Sequence, residues 1–300
     1  RYMEKDSLAL FEVADLIGLG KIPVDQRRPL DLETRGIGEL ILQLVDQGVK
    51  TICVGIGGSA TNDGGIGMAA GLGVAFYDDQ GHLLRPVGAS LGRVARIDTS
   101  AVPKALQDIE LRVLTDVTNP LCGSQGATYI FGGQKGLNPL LFPAVDQAME
   151  DFYQLVDPRI LSMAGAGAGG GMAAGLVAFA RGQISLGIEK SLDLIDFDRK
   201  VQKADLVVVG EGRMDLQSLS GKAPVGVAKR TPDKIPVLAI CGSLADDLPA
   251  FPSHHIEAAF SIVPGPCEVA DALTHAEKNL ISCARNIGNL LKMKANKKTN

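Results

Sequence analysis

The chain has 300 residues, 46% hydrophobic and 21% charged, enough for one large domain or two medium ones, and two is the expectation. A net charge of −4, with no basic run interleaved with aromatics, excludes the electrostatic footprint of a nucleic-acid binder; the lysine-rich end, Lys292 to Lys298, reads as a solvated tail. Thirty-six glycines against nine Phe, four Tyr and no Trp point to tight turns around an aliphatic core, the composition of an α/β protein.

In chain order, apolar positions at helical spacing predict a helix over Ile37–Gln47, followed by a buried strand at Thr51–Val54 and a short helix at Met68–Leu72. Asp78-Asp79-Gln80-Gly81 between Val74–Tyr77 and His82–Leu84 predicts a hairpin, and Leu111–Leu114 supplies a further strand. Leu161 to Ala180 carries no charge, but six of its residues are glycine and much of the rest is alanine, so its transfer into lipid is poor and no membrane span is expected. Leu206–Val209, Val237–Ile240 and Ala258–Val263 read as buried parallel strands, with helices over Pro224–Lys229 and Val269–Met293. The change of pattern places a mixed α/β domain over 1–195. A doubly wound parallel sheet over 196–300 would carry a ligand crevice at the carboxyl ends of its strands.

Three polar, glycine-bearing segments follow predicted strands. Gly55-Ile56-Gly57-Gly58-Ser59-Ala60-Thr61-Asn62-Asp63-Gly64-Gly65-Ile66-Gly67 runs from a strand into a helix, where backbone N–H groups and a helix start favour an anion. There Ser59, Thr61 and Asn62 can bind oxygens and Asp63 can hold Mg²⁺ or accept a hydroxyl proton; the alternative is a capped strand-to-helix turn. Gly210-Glu211-Gly212-Arg213-Met214-Asp215-Leu216-Gln217-Ser218-Leu219-Ser220-Gly221-Lys222 occupies the crevice position of the second sheet. Its Arg213 and Lys222 can neutralise phosphoryl oxygens or clamp a carboxylate, while Glu211, Gly212, Asp215 and Ser220 converge there; the alternative is a surface loop laced with ion pairs. Thr118 to Gly123 and Phe131 to Gly136 form the third zone, with Lys135 as a phosphate ligand or an exposed turn lysine, and Asp116 at a strand end as a further metal candidate beside Asp63 and Asp215.

Gly165 to Gly171 matches a dinucleotide fingerprint superficially, but no apolar strand precedes it, and close helix packing is the favoured alternative. The chain has no Gly-x-x-x-x-Gly-Lys-Ser/Thr phosphate loop, because Gly221-Lys222 is followed by Ala223. His82, His254, His255 and His275 form no helical metal pair. Cys53, Cys122, Cys241, Cys267 and Cys283, an odd and widely spaced set without a Cys-x-x-Cys pair, argue against a disulfide framework or a zinc site and fit a reducing cytoplasm. Taken residue by residue, the sequence points to a two-domain enzyme handling an anionic, phosphorylated ligand without histidine chemistry.

Gly55–Gly67, Thr118–Gly123, Phe131–Gly136, Gly165–Ala173, Gly210–Lys222 and Ala239-Ile240-Cys241-Gly242-Ser243 stand in one order, and together they resemble the glycerate kinase family of the bacterial glycerate 2-kinase type, from about Phe11 to about Leu291. The resemblance implies a flavodoxin-like domain and a mixed α/β domain flanking a cleft. It also implies transfer of the γ-phosphoryl of ATP to D-glycerate, with Mg²⁺, giving 2-phosphoglycerate. Gly57, Gly58 and Ser59 would hold phosphoryl oxygens, Asp63 or Asp215 would activate the hydroxyl, and Arg213 and Lys222 would bind carboxylate or phosphate. Neither the Asp-Ser-Phe-Lys-like nor the Asp-Gly-Gly-Glu-Gly segment with which such enzymes begin occurs here. The expectation is therefore a chain that starts at Arg1 after the first fifth of the enzyme and leaves the flavodoxin-like sheet incomplete.

Two rival readings remain from the sequence. One is a non-catalytic protein that binds a small anion or nucleotide; the other is a nicotinamide-dependent oxidoreductase of hydroxy acids, suggested by the Gly-Ala run. The expected partner is a small-molecule substrate, with no nucleic acid and no membrane, in the cytoplasm; a homodimer is left open.

Overall fold

A computed structural model describes residues 3–5, 7–185, 187–219 and 222–296. The chain divides into two compact units, Arg1–Gly187 and Ile188–Asn300. The first contains β1 (Met3–Lys5), β2 (Leu8–Glu12), α1 (Val13–Ile17), α2 (Arg35–Asp46), β3 (Thr51–Gly55), α3 (Ile66–Gly71), β4 (Ala75–Tyr77), β5 (Arg96–Asp98), β6 (Glu110–Leu114), α4 (Ala127–Phe131), α5 (Phe142–Val156), α6 (Met172–Ala180) and β7 (Gln183–Ser185). The second contains α7 (Gly187–Leu194), whose first turn carries the break between units, then α8 (Phe197–Val201), β8 (Val207–Met214), α9 (Leu216–Leu219), α10 (Ala223–Arg230), β9 (Val237–Leu244), β10 (Ala258–Ser261), α11 (Val269–Thr274) and α12 (Ala276–Asn296). The pattern change in the sequence lies at the other end of α7.

In the first unit five of the described strands form a sheet in the order β1-β2-β3-β6-β7, parallel except for β1, and β4 and β5 form a separate antiparallel pair. Central β3 is buried from Ile52 to Gly55, so its sequence is continuously apolar rather than alternating, as burial on both faces demands. Phe11, Ile52, Val54, Leu111 and Val113 meet Ile37, Ile41 and Leu44 of α2 and Met172 and Leu176 of α6 in one core. Gly38 of α2 and Gly71 of α3 let these helices touch along their backbones, since a β-carbon at either would collide with main-chain atoms of the other. A second cluster in the same unit gathers Phe76, Leu91, Met149, Phe152 and Tyr153, with Phe76 edge-on to Phe179 at 5.9 Å.

The predicted hairpin forms as a turn, with Asp78 N donating to His82 O and Leu84 N to Phe76 O, but His82–Leu84 contributes a single bridge. The ladder partner of β4 is β5, some twenty residues on, and no short-range signal marked it. Strands β2 and β7 were not expected either: Leu8–Glu12 mixes apolar and acidic residues, and Gln183–Ser185 is too short for a pattern.

The second unit holds a parallel sheet in the order β10-β9-β8. Val209, Met214, Val225, Ala228, Val237 and Ala239 form its core with Ile256. Arg230 at the end of α10 ties in the first two helices of the unit: Nη1 lies 2.6 Å from Asp193 Oδ1, Nη2 donates to Asp198 Oδ2 at 2.7 Å, and Nη1 donates to Glu189 O at 3.2 Å. The helix read as one over 269–293 is broken at His275 into α11 and α12. Among the described residues no helix is long and apolar enough to cross a membrane.

The Gly165–Gly171 run lies against the turn between β3 and α3. A β-carbon on Gly175 of α6 would come 2.8 Å from Gly65 Cα, and one on Gly171 would come 2.7 Å from Gly64 Cα. Gly175→Ala is therefore expected to lower stability by about 1–3 kcal/mol although alanine is the better helix former, while Gly20→Ala, with open space around it, stays within about 0.5 kcal/mol. Denaturant midpoints of the two variants check this contrast.

Candidate functional site

The carboxyl end of β3 opens into the turn Ile56-Gly57-Gly58-Ser59, the position at which parallel sheets bind ligands. Gly57 and Gly58 are exposed, and Gly58 has φ of 70°, a conformation that glycine adopts without strain. The N–H groups of Gly57, Gly58 and Ser59 meet no acceptor among the described residues. The Gly58 carbonyl accepts from Leu19 N at 2.9 Å and Ala60 N donates to Ile17 O at 2.9 Å, so the segment after β2 fixes the turn from one side.

Below the turn the polar residues point inward. Lys135 is 3% exposed; its Nζ donates to Ser59 Oγ at 3.1 Å and to Thr61 O at 2.7 Å. Burial brings its pKa down to about 8 from 10.5, while Asp63 acts in the opposite sense. Ser59 Oγ donates to Gly169 O at 3.0 Å and Gly64 N donates to Gly170 O at 3.0 Å, so the glycine run closes the far wall. Gly170 is itself enclosed: a β-carbon there would sit 3.0 Å from Lys135 Nζ. Asn62 Nδ2 donates to Thr128 Oγ1 at 3.1 Å, while Asn62 Oδ1 and Thr61 Oγ1 are buried without a partner.

Asp63 is fully buried. Its Oδ2 accepts from Thr34 Oγ1 at 2.6 Å and its Oδ1 from Gly65 N at 3.1 Å. Burial pushes its pKa up, against the Thr34 hydroxyl, the Gly65 and Gly67 N–H groups and Lys135, all of which favour the carboxylate. Thr34 Oγ1 also accepts from Met68 N at 2.8 Å, so Thr34 and Asp63 together hold the first turn of α3, and Tyr153 donates its hydroxyl to Gly64 O at 2.7 Å. Asp116 is exposed just past the end of β6 beside Gly187.

In the second unit, the segment Gly210–Lys222, expected to follow a strand, begins within one: its first five residues belong to β8. β8 continues through Gly210, Glu211, Gly212 and Arg213 to Met214, paired with β9 out to Leu244; a β-carbon on Gly210 would meet the Ile240 carbonyl at 2.7 Å and one on Gly242 would meet the Gly212 carbonyl closer still, so these two glycines let the chains run side by side. Arg213 is exposed; Glu211 is half-buried, with Oε1 enclosed and unpartnered. Asp215 Oδ1 accepts from Ser218 N at 2.9 Å and so caps α9. Lys222 stands at the start of α10, and Ser220 lies outside the described residues. A cavity of about 1060 Å³ within this unit is lined by Glu211, Gly212, Cys241, Gly242, Ile262 and Leu273 among others.

The sequence-derived candidates thus fall into two groups. Gly57, Gly58, Ser59, Thr61, Asn62, Asp63 and Lys135 are brought together in the first unit, and Glu211, Gly212, Arg213, Asp215 and Lys222 lie along one segment of the second. Sequence reading missed Thr34, Tyr153 and Arg27, whose Nη1 donates to Gln134 O at 2.9 Å and holds the Lys135 turn. Thr34 carried a signal, a threonine just before a helix, but its hydroxyl serves α3 rather than α2. Among the described residues no three His, Cys, Asp or Glu side chains assemble as a metal centre.

Residues 1–292 match the model of the glycerate kinase family. The chain is 57% identical over 293 residues to a glycerate kinase of Neisseria meningitidis serogroup B, covering 98% of this chain and 79% of that protein. It is 39% identical over 284 residues to the glycerate 2-kinase of Escherichia coli K12, covering 93% of this chain and 74% of that one. A crystal structure of a Salmonella typhimurium LT2 protein named for glycerate kinase 2 superimposes with a TM-score of 0.79 at 40% identity, over 98% of this chain and 79% of that one. A family match of this extent, with relatives this similar along almost the whole sequence, means that the chain belongs to the glycerate kinase family.

Proposed function

We propose that this chain transfers the γ-phosphoryl group of ATP to D-glycerate and releases 2-phosphoglycerate. The observation that carries the reading is the Gly57–Gly58–Ser59 turn, whose two glycines are exposed, whose amides meet no acceptor among the described residues and whose underside is braced by Lys135. Phosphoryl transfer asks for positioned donors and neutralised charge more than for covalent chemistry, and such a turn offers both.

Gly57, Gly58 and Ser59 act through their N–H groups, because the Ser59 hydroxyl is committed to Gly169 and Lys135. Lys135, Thr61, Asn62 and Asp63 shape the turn from beneath and are positioning residues. In the second unit, Arg213 and Lys222 are our candidates for binding carboxylate or phosphate, with Glu211 and Gly212 beside them. A Mg²⁺ ion carried on the nucleotide needs only one or two protein oxygens, and the exposed carboxylate of Asp116 fits that need better than enclosed Asp63 or capping Asp215. When bound, the ion would neutralise phosphoryl oxygens.

A coupled assay of ADP release, with NMR identification of the product, tests the reading. Glycerate-dependent release with the phosphate on the C2 oxygen is expected; binding of ATP without turnover would move the chain to the rival reading of a binding protein.

Lys135 yields a second expectation. The folded chain releases this proton near pH 8 and the unfolded chain near 10.5, so between those values the unfolded state binds more protons and stability rises with pH. Melting temperatures of Lys135→Met compared with the parent from pH 7.5 to 10 should show that upward component only in the parent. Equal slopes would mean that the lysine is not held in the way described.

A further inference from the structure

We propose that Glu12 is the base that takes the proton from the glycerate hydroxyl as that oxygen attacks the phosphoryl group, an inference that rests on the kinase reading above. Glu12 is the last residue of β2 and the Cα partner of Gly55, the last residue of β3. A β-carbon on Gly55 would fall within the Glu12 carboxyl group, so the carboxyl lies across bare backbone two residues before Gly57. The chain then turns through α1 and stays beside the phosphate-type turn: a β-carbon on Gly58 would touch that of Ala14 at 3.5 Å, and Gly18 bridges to Ser59.

Glu12 is exposed, and among the described residues burial and Asp15 alone act on its carboxylate, with no hydrogen-bond donor and no cation. The aspartates expected as bases lack that freedom: Asp63 is enclosed by Thr34 and the backbone, and Asp215 caps α9. Partial burial raises the Glu12 pKa, and Asp15, the charged group acting on it, raises it further. Both effects strengthen it as a proton acceptor.

In the step, the acceptor O–H bond breaks and its proton passes to a Glu12 oxygen. The freed oxygen bonds to the γ-phosphorus, the bond from that phosphorus to the β–γ bridging oxygen breaks, and ADP departs. The protonated carboxyl no longer adds negative charge beside the phosphoryl oxygens, and it returns its proton to water.

Glu12→Gln is expected to lower kcat by about 10²–10⁴-fold with KM within a few-fold, and to abolish the acid limb of the kcat–pH profile, while its melting temperature stays near that of the parent because no partner among the described residues is lost. Gly55→Ala, which displaces the carboxyl, should lower kcat in the same sense; Asp215→Asn should leave the acid limb in place. A readout independent of turnover is a ¹³C NMR titration of glutamate side-chain carboxyls, with the Glu12 signal identified by its loss in Glu12→Gln. Its midpoint should lie above 4.5 and move on adding D-glycerate. Glu12→Gln with parental kcat and pH profile, or a Glu12 midpoint at or below 4.5 that ignores glycerate, would overturn the assignment. Absence of glycerate-dependent turnover in the parent would instead sink the kinase reading itself.

Discussion

Lys135 reaches from the turn after α4 into an enclosed space and gives its hydrogens to the Ser59 hydroxyl and the Thr61 carbonyl. A buried ammonium is costly unless it is satisfied, and here the polar atoms that satisfy it belong to the turn that the first unit presents to a ligand. The lysine cannot keep its partners unless the turn keeps its shape. The same segment is held by the glycine run on one side, by residues 17 to 19 on another, and by Tyr153 through the Gly64 carbonyl. The exposed Gly57–Gly58 backbone is thus presented by a scaffold with little freedom to relax, which is the condition for binding developing charge without reorganisation.

Much of this was legible in the sequence, and the limits are physical. Central β3 announced itself because a strand buried on both faces must be continuously apolar, and α2 because one face alone is buried, leaving a helical period. Strand β2 was not legible: it lies next to the sheet's edge and ends in Glu12, so its short pattern resembles a loop. The candidate residues of the first unit were recognisable as a group because glycines and small polar residues follow one strand. Their orientation was not. Lys135 read as either a phosphate ligand or an exposed lysine, and burial beneath the turn is a third outcome that only the distant contact with Ser59 and Thr61 dictates. Likewise, nothing local tells that Thr34, just before one helix, would hold the start of another.

The Gly210–Met214 segment teaches the complementary lesson. Glycines after an apolar run ordinarily signal the end of a strand, and here they let the strand continue, because β9 carries its own glycine opposite and two parallel chains can run close together. Glycine therefore served three purposes in one sequence: an open turn at Gly57 and Gly58, helix-to-helix contact at Gly38 and Gly71, and strand-to-strand passage at Gly210 and Gly242. Only the partner surface distinguishes them, and the partner is remote in the chain.

The contact between Gly64–Gly65 and Gly171–Gly175 has a consequence for inheritance. The two stretches are moulded to one another, and a side chain added at Gly65, Gly171 or Gly175 has nowhere to go unless the facing backbone withdraws. Two segments far apart in the gene thus form one unit of exchange: a recombinant that takes the β3–α3 turn from one relative and the α6 approach from a more distant one joins surfaces that were never fitted together, however ordinary each half looks alone.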